Sequence, residues 1–387
     1  MYWSRSTQQR GAAAGSPDFP KKWEFTAGGP ISAALALGEN GSLYVASEDG
    51  FLYALDPAGT LQWKFEAGPL AEAPAIGTDG TIYVANCNQQ IYSINSSGTQ
   101  HWMWGGGPYA DKNSLWRGGA LDDNYYYTPW RGQLRAIRLS TGVAGWPTGM
   151  GFETEGSVSI LPNGLIVFPG VGRLDAAEAG GRTSWQYPVM NPPLTTDMLM
   201  KNGGHPPAGN FWLESGIALG ATGTLYAAAG GSHLVAISPA GTLQWEFKTA
   251  GNSTNRATPV IGGDGTIYFA CGDGHLYAVN ADGAQKWALQ TGASIAATPL
   301  LAEDGTVYVL SSRELLAVSP EGKLVARVDF PGGDKSSPTL GPDGTLYVAA
   351  HTGRIVAFST SHGPLMSSSP WPKFQRDLAN SGRAAPI

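Results

Sequence analysis

The feature that most constrains this chain is a sequence unit of about 40 residues that recurs along its length. The plainest copy spans residues 257–289 and contains four short runs rich in β-branched and aromatic residues. Turn dipeptides such as Asp264-Gly265 and Asp282-Gly283 separate these runs. The second and third runs are apolar on both alternating faces, as a strand must be when other sheets cover it on both sides. The unit therefore predicts one four-stranded blade of a β-propeller.

Eight positions equivalent to the turn glycine of this unit indicate eight blades. They are Gly41, Gly80, Asp123, Gly164, Gly223, Gly265, Gly305 and Gly344. The third copy is degraded to Asp122-Asp123-Asn124, and the fourth has lost the tyrosine of its second run. Because such a ring grows by repetition, 387 residues need no single central core.

The fourth runs predict how the ring closes. Most of them carry a tryptophan: Trp63, Trp102, Trp146, Trp185, Trp245 and Trp287. Blade 7 has Ala326 instead, blade 8 has no fourth run after Phe358, and Trp23 lies in a fourth run with no blade before it. We therefore predict an all-β, eight-bladed β-propeller of four-stranded antiparallel blades, in which the N-terminal strand completes the last blade.

Residues 1–387 are predicted to form this single domain, with blades over about 22–360 and a C-terminal tail, 361–387, that packs on the propeller. The net charge is −6 and no basic stripe is present, so we do not expect nucleic acid as a partner. No apolar run approaches the length of a membrane-spanning helix. Cys87 and Cys271 fall in opposite blades and are expected to be free thiols. We expect a monomer, and a periplasmic or secreted location with the signal peptide removed.

The recurring run D-G-T-[ILV]-Y-[VA], followed by L-Y-A and W-x-F, resembles the pyrroloquinoline-quinone-like repeat propellers. That superfamily includes quinoprotein alcohol dehydrogenases and the lipoprotein of outer-membrane β-barrel assembly. For the dehydrogenases, the resemblance implies a quinone cofactor held by an adjacent cysteine pair, a tryptophan floor and a calcium site. This chain has no adjacent cysteines, so we predict no cofactor. Residues 371–383 look like a W-P-x-F-x-x-D-x-x-x-[ST]-G-R segment found beside such propellers.

Insertions into the repeat indicate which face carries function. The connection from one blade's fourth strand to the next blade's first strand is brief at residues 67–70 and 291–294. It is long at residues 105–115 and longest at residues 188–213. Because strand direction alternates, all these connections emerge on one face, which we call the elaborated face; the opposite one is the plain face. Variable loops on a regular scaffold are typical of a binding site.

A charged ring is predicted at the mouth of the central channel on the elaborated face. The position eight residues before each turn aspartate, which we call the collar, reads Ser32, Ala71, Ser114, Glu155, Glu214, Arg256, Ala296 and Lys335. Either Glu214 and Arg256 form a structural ion pair, or the collar orients a polar ligand. Our predicted ligand-binding residues are Glu155, Glu214, Arg256, Lys335, Asn255, Trp116 and Trp212. No residue is predicted to be catalytic, and the six histidines lack metal-ligand spacing.

The functional prediction is a non-catalytic propeller that binds a small polar or sugar-like ligand, or a partner, at this mouth. Two alternatives from other classes stay open. One is an enzyme at the channel mouth, either a quinone-type oxidoreductase or a glycan-active enzyme that uses Glu155 and Glu214. The other is an assembly scaffold for protein partners. An occupied, concave, charged mouth favours a ligand or an enzyme, whereas a dry, plugged channel with an exposed apolar patch favours the scaffold.

Overall fold

The computed structural model describes residues 19–105, 118–130, 133–146, 150–151, 156–170, 173–188, 215–229, 233–249, 251, 257–377 and 380–383. In these residues the strands form eight four-stranded antiparallel sheets, each following chain order except for the last. This confirms the predicted propeller of eight blades.

The bounds of the strands repeat from blade to blade. From blade 1 to blade 8, the first strands are Ala36–Leu37, Ala75–Ile76, Ala120–Leu121, Ser159–Ile160, Ile217–Leu219, Val260–Ile261, Leu300–Leu301 and Thr339–Leu340. The second strands are Leu43–Ala46, Ile82–Ala85, Tyr125–Trp130, Ile166–Gly170, Leu225–Ala229, Ile267–Ala270, Val307–Leu310 and Thr345–Ala349. The third strands are Phe51–Leu55, Gln90–Ile94, Gln133–Arg138, Arg173–Ala177, His233–Ile237, His275–Val279, Glu314–Val318 and Arg354–Ser359. The fourth strands are Leu61–Glu66, Gln100–Gly105, Met150–Gly151, Thr183–Pro188, Leu243–Lys248, Gln285–Gln290, Leu324–Asp329 and, for blade 8, Lys21–Thr26.

Burial along the strands matches the repeat. The second strand Ile267–Ala270 is buried at every position, as expected for a strand with a sheet on each side. The fourth strand Gln285–Gln290 alternates between exposed and half-buried residues, because it is the outer edge of its blade. No helix among the described residues is both long and apolar enough to cross a membrane.

The two ends of the chain share blade 8, as predicted. The N-terminal strand Lys21–Thr26 pairs antiparallel with Arg354–Ser359, with Trp23 opposite Ala357 and Phe25 opposite Ile355. Arg354 adds a salt bridge to Glu24, with 2.9 Å between Nε and Oε1. The last blade is therefore a sheet built from both ends, and the ring has no unpaired blade.

In seven of the eight blades, a tryptophan on or just before the fourth strand packs over a glycine of the next blade. Trp63 of blade 1 donates its indole N–H to the carbonyl of Ser96 in blade 2, with 2.9 Å between the atoms. A Cβ on Gly98 would lie 2.8 Å from the Trp63 ring, so the ring needs a glycine beneath it. Equivalent indole N–H hydrogen bonds of 2.6–2.9 Å are donated by Trp23, Trp102, Trp146, Trp245 and Trp287. The contact runs from each fourth strand to the turn between the third and fourth strands of the next blade.

Blade 7 lacks this tryptophan because blade 8 offers no such turn: its third and fourth strands come from opposite ends of the chain. Phe19 fills the space instead. Its buried ring lies 6.2 Å from Tyr308 of blade 7 and 5.9 Å from Phe358 of blade 8. In blade 6, which has the tryptophan, the rings of Tyr268 and Trp287 are separated by a similar distance, 5.8 Å. The alanine at position 326 is thus compensated by the N-terminal segment.

A second replacement in blade 7 comes from the other end of the chain. In blades 6 and 8 a fourth-strand lysine binds the turn aspartate, as Lys286 does to Asp264 at 3.2 Å. Blade 7 has Val325 at that position, and His362 from beyond the last strand binds Asp304 at 2.7 Å between Nδ1 and Oδ2. Both chain ends therefore complete blade 7.

Blade 3 departs from the expected pattern in two ways. Asp123 does not adopt the left-handed conformation of the turn glycines, since the turn is one residue shorter and closes from Asp122 N to Tyr125 O. Trp146 lies before the fourth strand Met150–Gly151 instead of within it, yet its indole still reaches blade 4. Cys87 and Cys271 are both free thiols, as predicted.

The shared last blade predicts a large effect of an N-terminal truncation. Removing residues 1–25 deletes Phe19 and most of the closing strand, exposes the edge of Arg354–Ser359, and should cost most of the stability of the ring. Removing residues 1–18 leaves both features in place and serves as the control. Thermal unfolding followed by circular dichroism measures the difference. A cooperative transition of the longer truncation at the full-length melting temperature would contradict this closure.

Candidate functional site at the centre of the ring

Short polar side chains link neighbouring blades around the centre of the ring. The backbone N–H of Gly216 donates to Thr258 Oγ1 at 2.9 Å, and that of Thr258 donates to Thr298 Oγ1 at 3.0 Å. The N–H of Thr298 donates in turn to Ser337 Oγ at 3.0 Å. These residues come just before the first strands of blades 5 to 8, so the bonds form an arc that we call the inner belt. Buried backbone donors are thereby satisfied between blades.

Glu72 takes part in the same kind of link between blades 2 and 3. Its Oε1 accepts the N–H of Gly119 at 2.7 Å and the hydroxyl of Tyr126 at 2.6 Å. Tyr126 stands where blades 1 and 2 have aliphatic residues, and its hydroxyl needs a partner in this apolar interface. The side chain of Glu72 is fully buried, and burial raises its pKa to about 7 in spite of these two hydrogen bonds. Glu72 is therefore a structural acid and is protonated below neutral pH.

At the elaborated face, the collar residue Ser32 joins blade 8 to blade 1. Its hydroxyl donates to Glu48 Oε1 at 2.6 Å, and its oxygen lies 3.0 Å from Nδ1 of His351. With the serine proton directed to Glu48, the imidazole N–H is the donor in the second bond. In nucleophilic catalysis the histidine would accept the serine proton instead, so this arrangement does not correspond to a Ser-His-acid triad.

Of the seven predicted ligand-binding residues, the structure describes Lys335. It lies exposed in the short 3-10 helix Gly333–Lys335, which precedes the first strand of blade 8. Glu155, Glu214, Arg256, Asn255, Trp116 and Trp212 lie outside the described residues, so the collar as a ligand site stays a prediction. Among the described residues, no three His, Cys, Asp or Glu side chains are grouped to hold a metal ion.

The sequence reasoning did not place Glu48, Cys87 and His351 on the elaborated face; they occupy the turns between second and third strands. Because strand direction alternates, these turns also lie on the elaborated face. Extending the argument from the connections between blades to these turns would have placed all three residues there. Burial, followed by the charges of Glu48 and Glu72, raises the pKa of the Cys87 thiol. A thiol held protonated in this way is a poor nucleophile.

An open groove of about 580 Å³ lies at the same face of blade 7, between the end of its fourth strand and the preceding connection. Its charged lining side chains are Arg313, Glu314 and Asp329. Arg313 and Asp329 are exposed, so the groove offers both signs of charge to solvent.

The centre of the ring is occupied from the plain face by the C-terminal tail. Trp371 accepts the N–H of Ile261 through its carbonyl at 2.9 Å, and Pro372 accepts that of Leu301 at the same distance. Both donors are the last residues of first strands, at the start of the plain-face turns. The predicted tail motif thus enters the ring, with Trp371 buried at 1% exposure in a cluster shared by blades 4, 5 and 6.

Two further tail residues are buried polar groups. Asn380 donates its amide to the carbonyls of Leu35 and Pro74 at 3.2 and 3.0 Å. Lys373 is fully buried and donates to the carbonyl of Asp377 at 2.9 Å and to Asn380 Oδ1 at 2.6 Å. Burial lowers the pKa of Lys373 to about 7, although the negative charge of Asp377 acts in the opposite direction.

The raised pKa of Glu72 predicts how stability depends on pH. The folded protein holds the Glu72 proton up to about pH 7, whereas the unfolded chain releases it near the ordinary value of 4.5. Stability from this group is therefore complete below pH 4.5 and is lost as pH rises through about 7, by on the order of 3 kcal/mol.

Replacing Glu72 with Gln should remove this loss, and Gln can still accept the bonds from Gly119 and Tyr126. The free energy of unfolding in urea, compared at about pH 5 and about pH 7.5, measures it. The exposed Glu66→Gln change is the control for a lost negative charge. An unchanged pH dependence in Glu72→Gln would show that Glu72 is ionised in the folded protein.

Comparisons with known proteins fit this geometry. The model of the family described as outer membrane protein assembly factor BamB matches residues 12–161 and 170–371. A crystal structure of BamB from Moraxella catarrhalis superposes with a TM-score of 0.72 at 12% identity, over 88% of this chain and 99% of that one. The computationally designed Ika8 protein superposes with a TM-score of 0.66 at 12% identity, over 86% and 97%. No curated protein sequence matches the chain.

Because the sequence identity is only 12%, the two structural similarities support the fold alone. The family model covers most of the sequence, including all eight blades in whole or in large part. The chain therefore belongs to the BamB family of outer membrane protein assembly factors, a family of PQQ-like repeat propellers.

Proposed function

We propose that this chain is a non-catalytic scaffold that binds a protein partner through its elaborated face. The observation that carries the proposal is the tail: its buried Trp371 and Lys373 occupy the ring centre from the plain face. A scaffold can function with a plugged channel, whereas an enzyme whose active site lies in the channel cannot. The family's description, outer membrane protein assembly factor, indicates that the partner is a protein that takes part in outer membrane protein assembly.

The described part of the elaborated face suits such a partner. It presents Lys335, the Ser32–Glu48–His351 cluster and the groove with Arg313 and Asp329. Charges of both signs at the rim of an interface confer specificity and raise the association rate. The longest connections of the repeat also emerge on this face. We further propose a periplasmic or outer-membrane-associated location, since the family acts on outer membrane proteins.

Site-specific photo-crosslinking in cells tests this orientation. A photoreactive residue in place of the exposed Lys335 should capture an envelope protein, identified by mass spectrometry. The same residue in place of Glu321, exposed in a turn of the plain face, is the matched control. We expect the Lys335 crosslink and none from Glu321. The reverse result, or capture only of cytoplasmic proteins, would contradict the proposal.

A second candidate is a small polar or sugar-like ligand at the same mouth. It is favoured by Lys335, the described collar residue with a charged side chain, which stands exposed beside the polar Ser32 cluster. If the collar binds such a ligand, Arg256→Ala should weaken binding by about 1–3 kcal/mol, the range for a lost charged hydrogen bond. Calorimetric titration with a sugar panel measures this, and an unchanged melting temperature is the control. A variant that melts lower and binds as before would make Arg256 structural.

We propose that the chain does not use pyrroloquinoline quinone. The residues do not fit it: Cys87 is half-buried in a turn of blade 2, and Cys271 is buried in blade 6. No adjacent pair can form from these two, and the tail takes the centre of the ring. Alcohol-dependent dye reduction that saturates with added quinone and calcium is the measurement that would overturn this.

A further inference from the structure

The C-terminal tail is bound to the ring largely through its backbone. Each first strand has one edge paired within its blade and one edge that faces the centre of the ring. Four tail carbonyls accept N–H groups from these inner edges at 2.8–2.9 Å. The pairs are Leu121 with Ser381, Ile160 with Gly382, Ile261 with Trp371, and Leu301 with Pro372. This is the bonding by which an extended peptide adds to the edge of a sheet.

Side chains of the tail add contacts that depend on sequence. Asn380 bridges the carbonyls of Leu35 in blade 1 and Pro74 in blade 2. Gln375 donates to the carbonyl of Gly119 in blade 3 at 3.1 Å. Together with the backbone bonds, these contacts engage the inner edges of blades 1, 2, 3, 4, 6 and 7. Six blades therefore contact a segment of about twenty residues.

The tail also holds its own shape. Lys373 closes a loop by binding the carbonyl of Asp377 and the side chain of Asn380. Asp377 accepts the N–H and the hydroxyl of Ser381. Gly382 follows in a left-handed conformation, with φ of 63°, which a glycine adopts without strain. A segment with its own internal bonds loses less entropy on docking, as a preorganised ligand does.

We propose that the plain-face opening of the ring is a peptide-binding site whose resident ligand is the segment 364–383. The partner that it fits is a peptide with a Trp-Pro pair, an acidic residue six positions after the tryptophan, and a Ser-Gly-Arg end. The tail is a separable ligand, tethered by residues 360–363. A second protein that carries this segment can occupy the opening when the tail is displaced. This site lies opposite the face proposed for the assembly partner. Both proposals start from the tail bound in the ring, but crosslinking from Lys335 tests the first and peptide binding tests the second, so their failures are distinguishable.

The test uses a ring of residues 1–363 and a fluorescent peptide of residues 364–387. We expect saturable one-to-one binding by fluorescence anisotropy. Asn380→Ala in the peptide should weaken it about tenfold or more, because the buried carbonyl of Pro74 loses its donor and that of Leu35 keeps only the hydroxyl of Thr339. Ser368→Ala, at an exposed position, should leave affinity unchanged. A folded ring that leaves the peptide unbound, or that binds the Asn380→Ala peptide equally well, would overturn the proposal.

A full-length protein decides the matter if the shortened ring does not fold. A protease site inserted after Gly363 allows the folded protein to be cut, and excess labelled peptide is then added. Exchange of the cut tail for labelled peptide, competed by unlabelled peptide but not by its Asn380→Ala form, supports a separable ligand. A cut tail that stays in place without exchange, over a day just below the melting temperature, would show that it is an integral part of the fold.

Discussion

The fastening of one blade to the next by a tryptophan is the interaction on which the rest of the ring depends. The indole lies over a glycine of the next blade and donates to a carbonyl in the same turn, as Trp63 does to blade 2. The contact has a direction, so one blade must differ wherever the chain breaks the cycle. That blade is blade 7, and its missing tryptophan and lysine are replaced by Phe19 and His362 from the two chain ends. Closure is therefore a property of both termini.

The same logic links the ends to the centre of the ring. After His362 the chain crosses the plain face and places Trp371 and Asn380 among the inner edges of the first strands. These edges carry backbone groups that a propeller leaves without partners inside each blade. A buried backbone donor without an acceptor is costly, so the tail supplies carbonyls where the fold would otherwise need water. The opposite, elaborated face is the one that we propose for a partner.

The repeat made the fold predictable because each blade follows local rules: turn glycines, buried second strands and a fourth-strand tryptophan. Ala326 and the solitary Trp23 even predicted how the ring closes. What could not be predicted depends on contacts between residues far apart in sequence. In the sequence Phe19 is one apolar residue among many, and only the structure shows that it packs between Tyr308 and Phe358. Glu72 looks like a surface acid until the hydroxyl of Tyr126, in the irregular blade 3, is found to need it. The collar depends on residues of the long connections, and there Lys335 alone of the predicted set is described.

Hydrogen exchange at the inner edges of the first strands tests most directly whether the tail occupies the ring. The amide hydrogens of Ile160, Ile261 and Leu301 donate to tail carbonyls. The equivalent amides of Leu219 and Leu340 have no acceptor in the described part of the tail. In the intact protein, exchange resolved by nuclear magnetic resonance should be slow at the first three and faster at the other two. Equal exchange at all five positions would contradict a tail bound at the centre of the ring.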